Sequence, residues 1–105
     1  MPTLCDRPTL GDFQAYVTQL ERERGFSNQT ALEKCLLLGE EIGELFKSVR
    51  KATKMGIDQT ASVAPVADEL ADVLIYLCSI ANRLGVSLES AFRAKEEQNH
   101  RRRWT

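Results

Sequence analysis

The apolar residues of this chain recur at helical spacing. Leu10, Phe13, Val17 and Leu20 follow the three-and-four step of one helix face, with Thr9 as N-cap, Asp12 in the first turn and Gly25 as the stop. Thr30-Ala31-Leu32-Glu33 has the form of a capping box, and a long second helix is expected from there to about Met55, ended by Gly56. Its core stripe reads Cys35, Leu38, Ile42, Leu45, Val49 and Ala52. Leu36 and Phe46 lie on other sides, so this helix is apolar over more than one face, as in a helix central to a bundle or shared with a second subunit. A linker over 57–64 leads to Pro65, suited to the first turn of a third helix. Val66, Leu70, Val73, Leu77, Ile80, Ala81 and Leu84 form that helix's stripe, and Gly85 ends it. Ser87 caps a fourth helix with Leu88, Ala91 and Phe92 among its inward residues. No strand alternation, repeat or low-complexity tract competes. The pattern predicts an all-α fold, a four-helix bundle, with residues 1–8 as a flexible N-terminal arm and 9–105 as a single helical domain.

A chain of 105 residues makes one domain with a modest core, so burial of further apolar helix faces in a homo-oligomer is expected. The formal charge of −1 gives no global field for a nucleic acid polymer or a membrane. No signal-like segment or membrane-spanning apolar run is present. Cys5, Cys35 and Cys78 fit no zinc or disulfide spacing; Cys35 and Cys78 read as small core or interface hydrophobes, and a reducing cytoplasm is the expected setting. A single histidine argues against a His-rich metal site or a Cys/His nucleophile.

Two acidic pairs change this picture. Glu41 and Glu44 stand three residues apart in the second helix, Glu69 and Asp72 three apart in the third, and each pair borders its apolar stripe. Residues at i and i+3 point the same way, and carboxylates that close repel one another when ionised. A hard divalent cation such as Mg²⁺, which takes oxygen ligands, would hold them charged. Either pair alone also reads as ordinary solvated surface. Both pairs on the two most apolar helices read better as inward carboxylates of a metal-binding bundle. Tyr76 falls on the flank of Glu69 and Asp72, and Lys95 and Asn99 lie one turn apart on the fourth helix. No P-loop motif is present.

The string Gly-Glu-Glu-Ile-Gly-Glu-Leu (39–45), followed by Asp-Glu-Leu-Ala-Asp-Val-Leu-Ile-Tyr-Leu (68–77), resembles the MazG-type all-α nucleoside triphosphate pyrophosphohydrolases. Their E-x-x-E, loop, E-x-x-D signature falls here on Glu41, Glu44, Glu69 and Asp72. Asn82-Arg83-Leu84-Gly85-Val86 and Lys95-x-x-x-Asn99 with Arg102 and Arg103 are similar to that family's C-terminal half, so the likeness covers roughly 9–104. The resemblance implies a Mg²⁺-dependent cleavage of a (deoxy)nucleoside triphosphate into monophosphate and pyrophosphate, with nucleotide-pool cleaning as the setting. It also implies four acids as metal ligands, and a homodimer or homotetramer whose helices pack across the subunit interface. Mn²⁺ is a possible substitute for Mg²⁺.

Within that reading, one acid less tightly bound to metal, Glu44 or Glu41, is the candidate to orient the attacking water. Lys95 and Arg102 are candidates for the outer phosphates, and Tyr76 and Asn99 for sugar or phosphate. Base recognition is expected near the first helix and its loop, from Phe13, Phe26, Asn28 and Gln29; Phe13 reads equally well as core. Two alternatives stay open at this point: a phosphoribosyl-ATP pyrophosphohydrolase using the same acids, and a non-catalytic helical interaction module.

Overall fold

The computed structural model describes residues 1–54, 56, 60 and 62–102. Four helices follow in order: α1 (Leu10–Arg24), α2 (Ala31–Ala52), α3 (Val66–Arg83) and α4 (Leu88–His100), with no strand among the described residues. The all-α reading and the four-helix count hold.

Local chemistry fixes the helix ends. At α1 the Thr9 hydroxyl accepts from Asp12 N (3.1 Å), and Asp12 Oδ2 accepts from Thr9 N (2.8 Å). At α2, Thr30 and Glu33 repeat the exchange at 3.1 and 3.4 Å. Each box satisfies two amide donors that a helix start otherwise leaves unmade. Gly25 closes α1 at φ 76°, a left-handed conformation that costs other residues energy, and Gly85 follows α3 at φ 67°. Pro65 stands one place outside α3 as its N-cap, without a side-chain bond. The second helix stops earlier than the sequence suggests. The Thr53 hydroxyl and amide both bond back to the Val49 carbonyl (2.8 and 2.9 Å), and Lys54 turns left-handed at φ 58°. The expected end at Met55, half of the 57–64 linker and Arg103 lie outside the described residues.

α3 is central. It packs along α2 on one side and α1 on another, and α4 touches α1. The core is Val17 and Leu20 of α1 against Cys78 of α3, joined by Phe13, Tyr16, Leu74 and Leu88. Gln14 ties the far end: its amide nitrogen donates to Asn82 Oδ1 (3.0 Å) and the Val86 carbonyl (2.8 Å), and its oxygen accepts from Leu88 N (2.9 Å). Residues 1–8 form no helix and run along α1, with Pro2 and Leu4 beside Phe13 and the N-terminal ammonium 3.1 Å from Glu23.

On α1 the predicted stripe is the face this chain buries, but on α2 and α3 it is so only in part. On α2 the buried residues are Lys34 and Ser48, with Leu38, Glu41 and Leu45 between them partly buried. At about 100° per residue, that face is rotated by roughly 50° from the predicted stripe. Cys35, Val49 and Ala52 are exposed, as are Leu36 and Phe46. On α3, Leu70, Leu77 and Leu84 of the predicted stripe are exposed, while Ala81 is buried and Cys78 wholly so. α4 turns 97° away from α3 and buries no residue; Leu88 reaches the core, but Ala91 and Phe92 do not. The radius of gyration is 16.4 Å, against about 13 Å for a compact chain of ~100 residues. The cause is shared: the single chain leaves its most apolar helix faces without a neighbour. No single helix among the described residues is long and apolar enough to cross a membrane.

Replacing Thr30 with Ala removes the hydroxyl acceptor of the α2 box. The expected loss is about 1 kcal/mol of stability, a fall in Tm of roughly 4–8 °C for a chain of this size, read by circular dichroism on heating.

Candidate metal centre and its buried charge network

α2 and α3 run side by side, so carboxylates on their facing flanks meet. Glu41 from α2 and Glu69 and Asp72 from α3 each place one oxygen within 4.8 Å of the others. Two oxygens bound to one Mg²⁺ at about 2.1 Å stand at most ~4.2 Å apart, so a small closure of this triad brings all three onto one ion. Glu69 is buried, and its Oε2 has no hydrogen-bond partner among the described residues. A buried carboxylate oxygen left unpaired is costly, and a cation beside it would remove that cost. The donor set is all oxygen, which suits Mg²⁺ or Mn²⁺. The mutual repulsion is visible in Glu41: burial first, then the charges of Asp72 and Glu69, raise its pKa above the ordinary carboxylate value.

Glu44, the fourth predicted ligand, stands outside this triad. It is half exposed, 3.9 Å from Lys47, yet close enough that its charge adds to the rise at Glu41. Tyr76 is beside the triad, and burial, followed by the charges of Glu41 and Asp72, pushes its hydroxyl pKa up. Phe13 packs on the core and lines a different cavity, with Pro2, Leu4 and Tyr16. Lys95 is exposed on α4, Asn99 donates to Glu96 (2.8 Å), and Arg102 follows the helix. None of these three lines the cavity next to the acids.

That cavity, about 140 Å³, lies between α1, α2 and α3. Asp72 and Tyr76 line it from the metal side, and Phe26, Glu21 and Lys34 from the other. Here the structure brings together residues that sequence reasoning missed. Glu21 is only 5% exposed and takes Arg83 (2.9 Å), Lys34 (3.3 Å) and the Ser79 hydroxyl (2.9 Å). Arg83 also donates to the Phe26 and Gln29 carbonyls (3.0 and 2.6 Å), which pins the α1–α2 loop. Lys34 sits with its ammonium 5.1 Å from the Phe26 ring centre and 5.5 Å from that of Tyr76. One signal was present in the sequence. Lys34, Leu38, Glu41, Leu45 and Ser48 share the a/d-like spacing of one face, which puts the lysine inward with the acid.

Comparison with known proteins supplies the class. The MazG-like family matches residues 32–103, and the chain belongs to that family. Among solved structures, iMazG from Vibrio DAT 722 is similar at 29% identity and a TM-score of 0.61, over 87% of this chain and 93% of that one. No curated protein matches the sequence.

Burial alone would raise the Glu21 pKa, but hydrogen bonds from Arg83 and Ser79, the Arg83 charge and the Lys34 bond outweigh it and hold the group below its ordinary value. A lowered folded pKa gives stability that is complete above the unfolded value, about 4.3, and drains as pH falls through the folded one. Thermal unfolding of Glu21→Gln should therefore lie below wild type at pH 7 and converge with it below about pH 4. Glu21→Ala strands the buried Lys34 and takes the carboxylate from the partly buried Arg83, and should cost about 3–5 kcal/mol.

Proposed function

We propose that this chain is a Mg²⁺-dependent nucleoside triphosphate pyrophosphohydrolase, adding one water across the α–β anhydride of a (d)NTP to give (d)NMP and pyrophosphate. The observation that carries the reading is the Glu41, Glu69 and Asp72 triad with its unpaired Glu69 oxygen, in a chain of the MazG-like family. A triphosphate carries several negative charges and would be repelled by bare acids. Glu41, Glu69 and Asp72 would hold a divalent cation, which would offset that repulsion, neutralise charge on phosphoryl oxygens and make a bound water more acidic.

The chain's own residues divide the remaining work. Glu44 is one turn from Glu41, outside the triad and open to water, which suits it to orient and deprotonate the nucleophile. Tyr76, beside Glu41 and Asp72, is placed to meet sugar or phosphate. Lys95, Asn99 and Arg102 stand on or just past an α4 that points away from the body, so we assign them to the phosphates of a site completed by a second copy. The open faces favour such a homodimer or homotetramer: Leu36 and Phe46 on α2 and Leu70 and Leu77 on α3 are exposed in the single chain. Apolar patches of this kind mark interaction surfaces. Nucleotide-pool cleaning in the cytoplasm is the role we assign.

Pyrophosphate release from a panel of standard and modified (d)NTPs, with Mg²⁺ or Mn²⁺, tests the reaction. Wild type should release pyrophosphate and monophosphate. Glu69→Gln should lose both turnover and the rise in Tm that Mn²⁺ gives. Glu44→Gln should keep that rise while kcat falls roughly 10²- to 10⁴-fold. Release of single phosphate would overturn the bond named here, and turnover of phosphoribosyl-ATP alone would move the enzyme to the related reaction.

The oligomer is tested separately. Sedimentation should give a species of at least two chains, and Phe46→Lys with Leu70→Lys should shift it to the monomer with loss of activity. A wild-type monomer at full activity would sink the shared site.

A further inference from the structure

We propose that Lys34 is a positioning residue that sets the Phe26 and Tyr76 rings as walls of a subsite for the flat base of the nucleotide. The inference rests on the pyrophosphohydrolase reading and adds a residue to it.

The argument begins with a lysine in an unfavourable place. Lys34 is in the first turn of α2, where the helix dipole disfavours a cation, and it is only 5% exposed. Fold stability does not account for its charge. Glu21 already has the Arg83 guanidinium at 2.9 Å and the Ser79 hydroxyl at 2.9 Å, so one buried anion is matched without Lys34. The ammonium makes its single carboxylate contact at 3.3 Å, and its other near neighbours are the faces of two aromatic rings.

Those two rings have different owners. Phe26 comes from the α1–α2 loop, pinned by Arg83 through its own carbonyl. Tyr76 comes from α3, four residues past Asp72, and stands beside the acids. One ammonium attracts both quadrupoles and so fixes a loop ring and a helix ring about a single point. The cavity they line with Lys34 also has Asp72 on its wall, so it opens onto the acidic triad. A nucleotide whose phosphates meet the triad has its base within reach of this cavity. A flat, polarisable base gains from rings held in place before it arrives.

The test is steady-state pyrophosphate release with Mg²⁺ from the best (d)NTP, beside the Mn²⁺-induced rise in Tm. Lys34→Met keeps the packing and removes the charge. KM should rise roughly tenfold with kcat within about twofold and the Mn²⁺ response intact. Lys34→Arg, which keeps a cation, should recover most of the KM. Phe26→Leu alters a ring at the exposed rim, leaves the fold alone, and should raise KM in the same way. An unchanged KM in Lys34→Met or Phe26→Leu overturns the proposal and leaves the reaction standing. Parallel loss of kcat, Mn²⁺ response and Tm in Lys34→Met, with Phe26→Leu unaffected, also overturns it, since that is the signature of a purely structural lysine. If wild type hydrolyses no nucleotide, the reaction falls by itself; calorimetric binding of ATP and dCTP with Ca²⁺ then decides. Weaker binding by Lys34→Met supports the positioning role, and equal binding or no binding by wild type rejects it.

Discussion

Three of the four helices meet at one buried carboxylate. Glu21 of α1 binds Lys34 of α2 and both Ser79 and Arg83 of α3, so one side chain joins three helices. Such a group is expensive to bury and gains its place only because every oxygen is met by a donor. Its geometry is correspondingly strict. Arg83 can serve Glu21 and the loop carbonyls together only when α1, α3 and the 25–29 turn hold fixed positions. Lys34 joins α2 to this network through its contact with Glu21 at 3.3 Å.

A small apolar core explains why a polar network carries this weight. Val17, Leu20, Cys78 and Ala81 are the buried hydrophobic residues among those described, and they lie chiefly between α1 and α3. Few large side chains are left to lock α2. Its inward face carries Lys34, Glu41 and Ser48 among the leucines, with Ser48 donating to the Ala64 carbonyl near the start of α3. The apolar residues that would make a stronger core point outward instead, as they do in a helix that shares its burial with another chain. Stability, site geometry and assembly are thus coupled: the same two helices bring the acids together and present the open faces.

The helices were legible because their signals are local. Thr9 with Asp12, Thr30 with Glu33, Gly25, Gly85 and Ser87 act within one turn of chain, and each terminus follows from hydrogen bonds its own neighbours make. The acidic pairs were legible for a related reason, since three-residue spacing on a helix fixes direction whatever the helix packs against. Which face turns inward is a different kind of fact. Leu70 and Leu77 are as apolar as any core residue, and nothing in their spacing says whether the neighbour is this chain or another. Periodicity therefore gave the right helices and the right inward face on α1, but on α2 and α3 it counted Cys35, Val49, Leu70 and Leu77 as inward where this chain leaves them exposed, and it placed Phe92 inside when α4 swings clear of the core.

By itself, then, the sequence determined four helices, their caps, an all-α class and a pair of acidic steps aimed to one side. Tertiary structure alone decided that Glu41 joins Glu69 and Asp72 while Glu44 stands apart, and that Glu21, Lys34, Ser79 and Arg83 form one network. The reason is range. A cap or an i, i+3 pair is set by bonds within a turn, whereas Glu21 and Arg83 are 62 positions apart and meet only after three helices have found their packing angles.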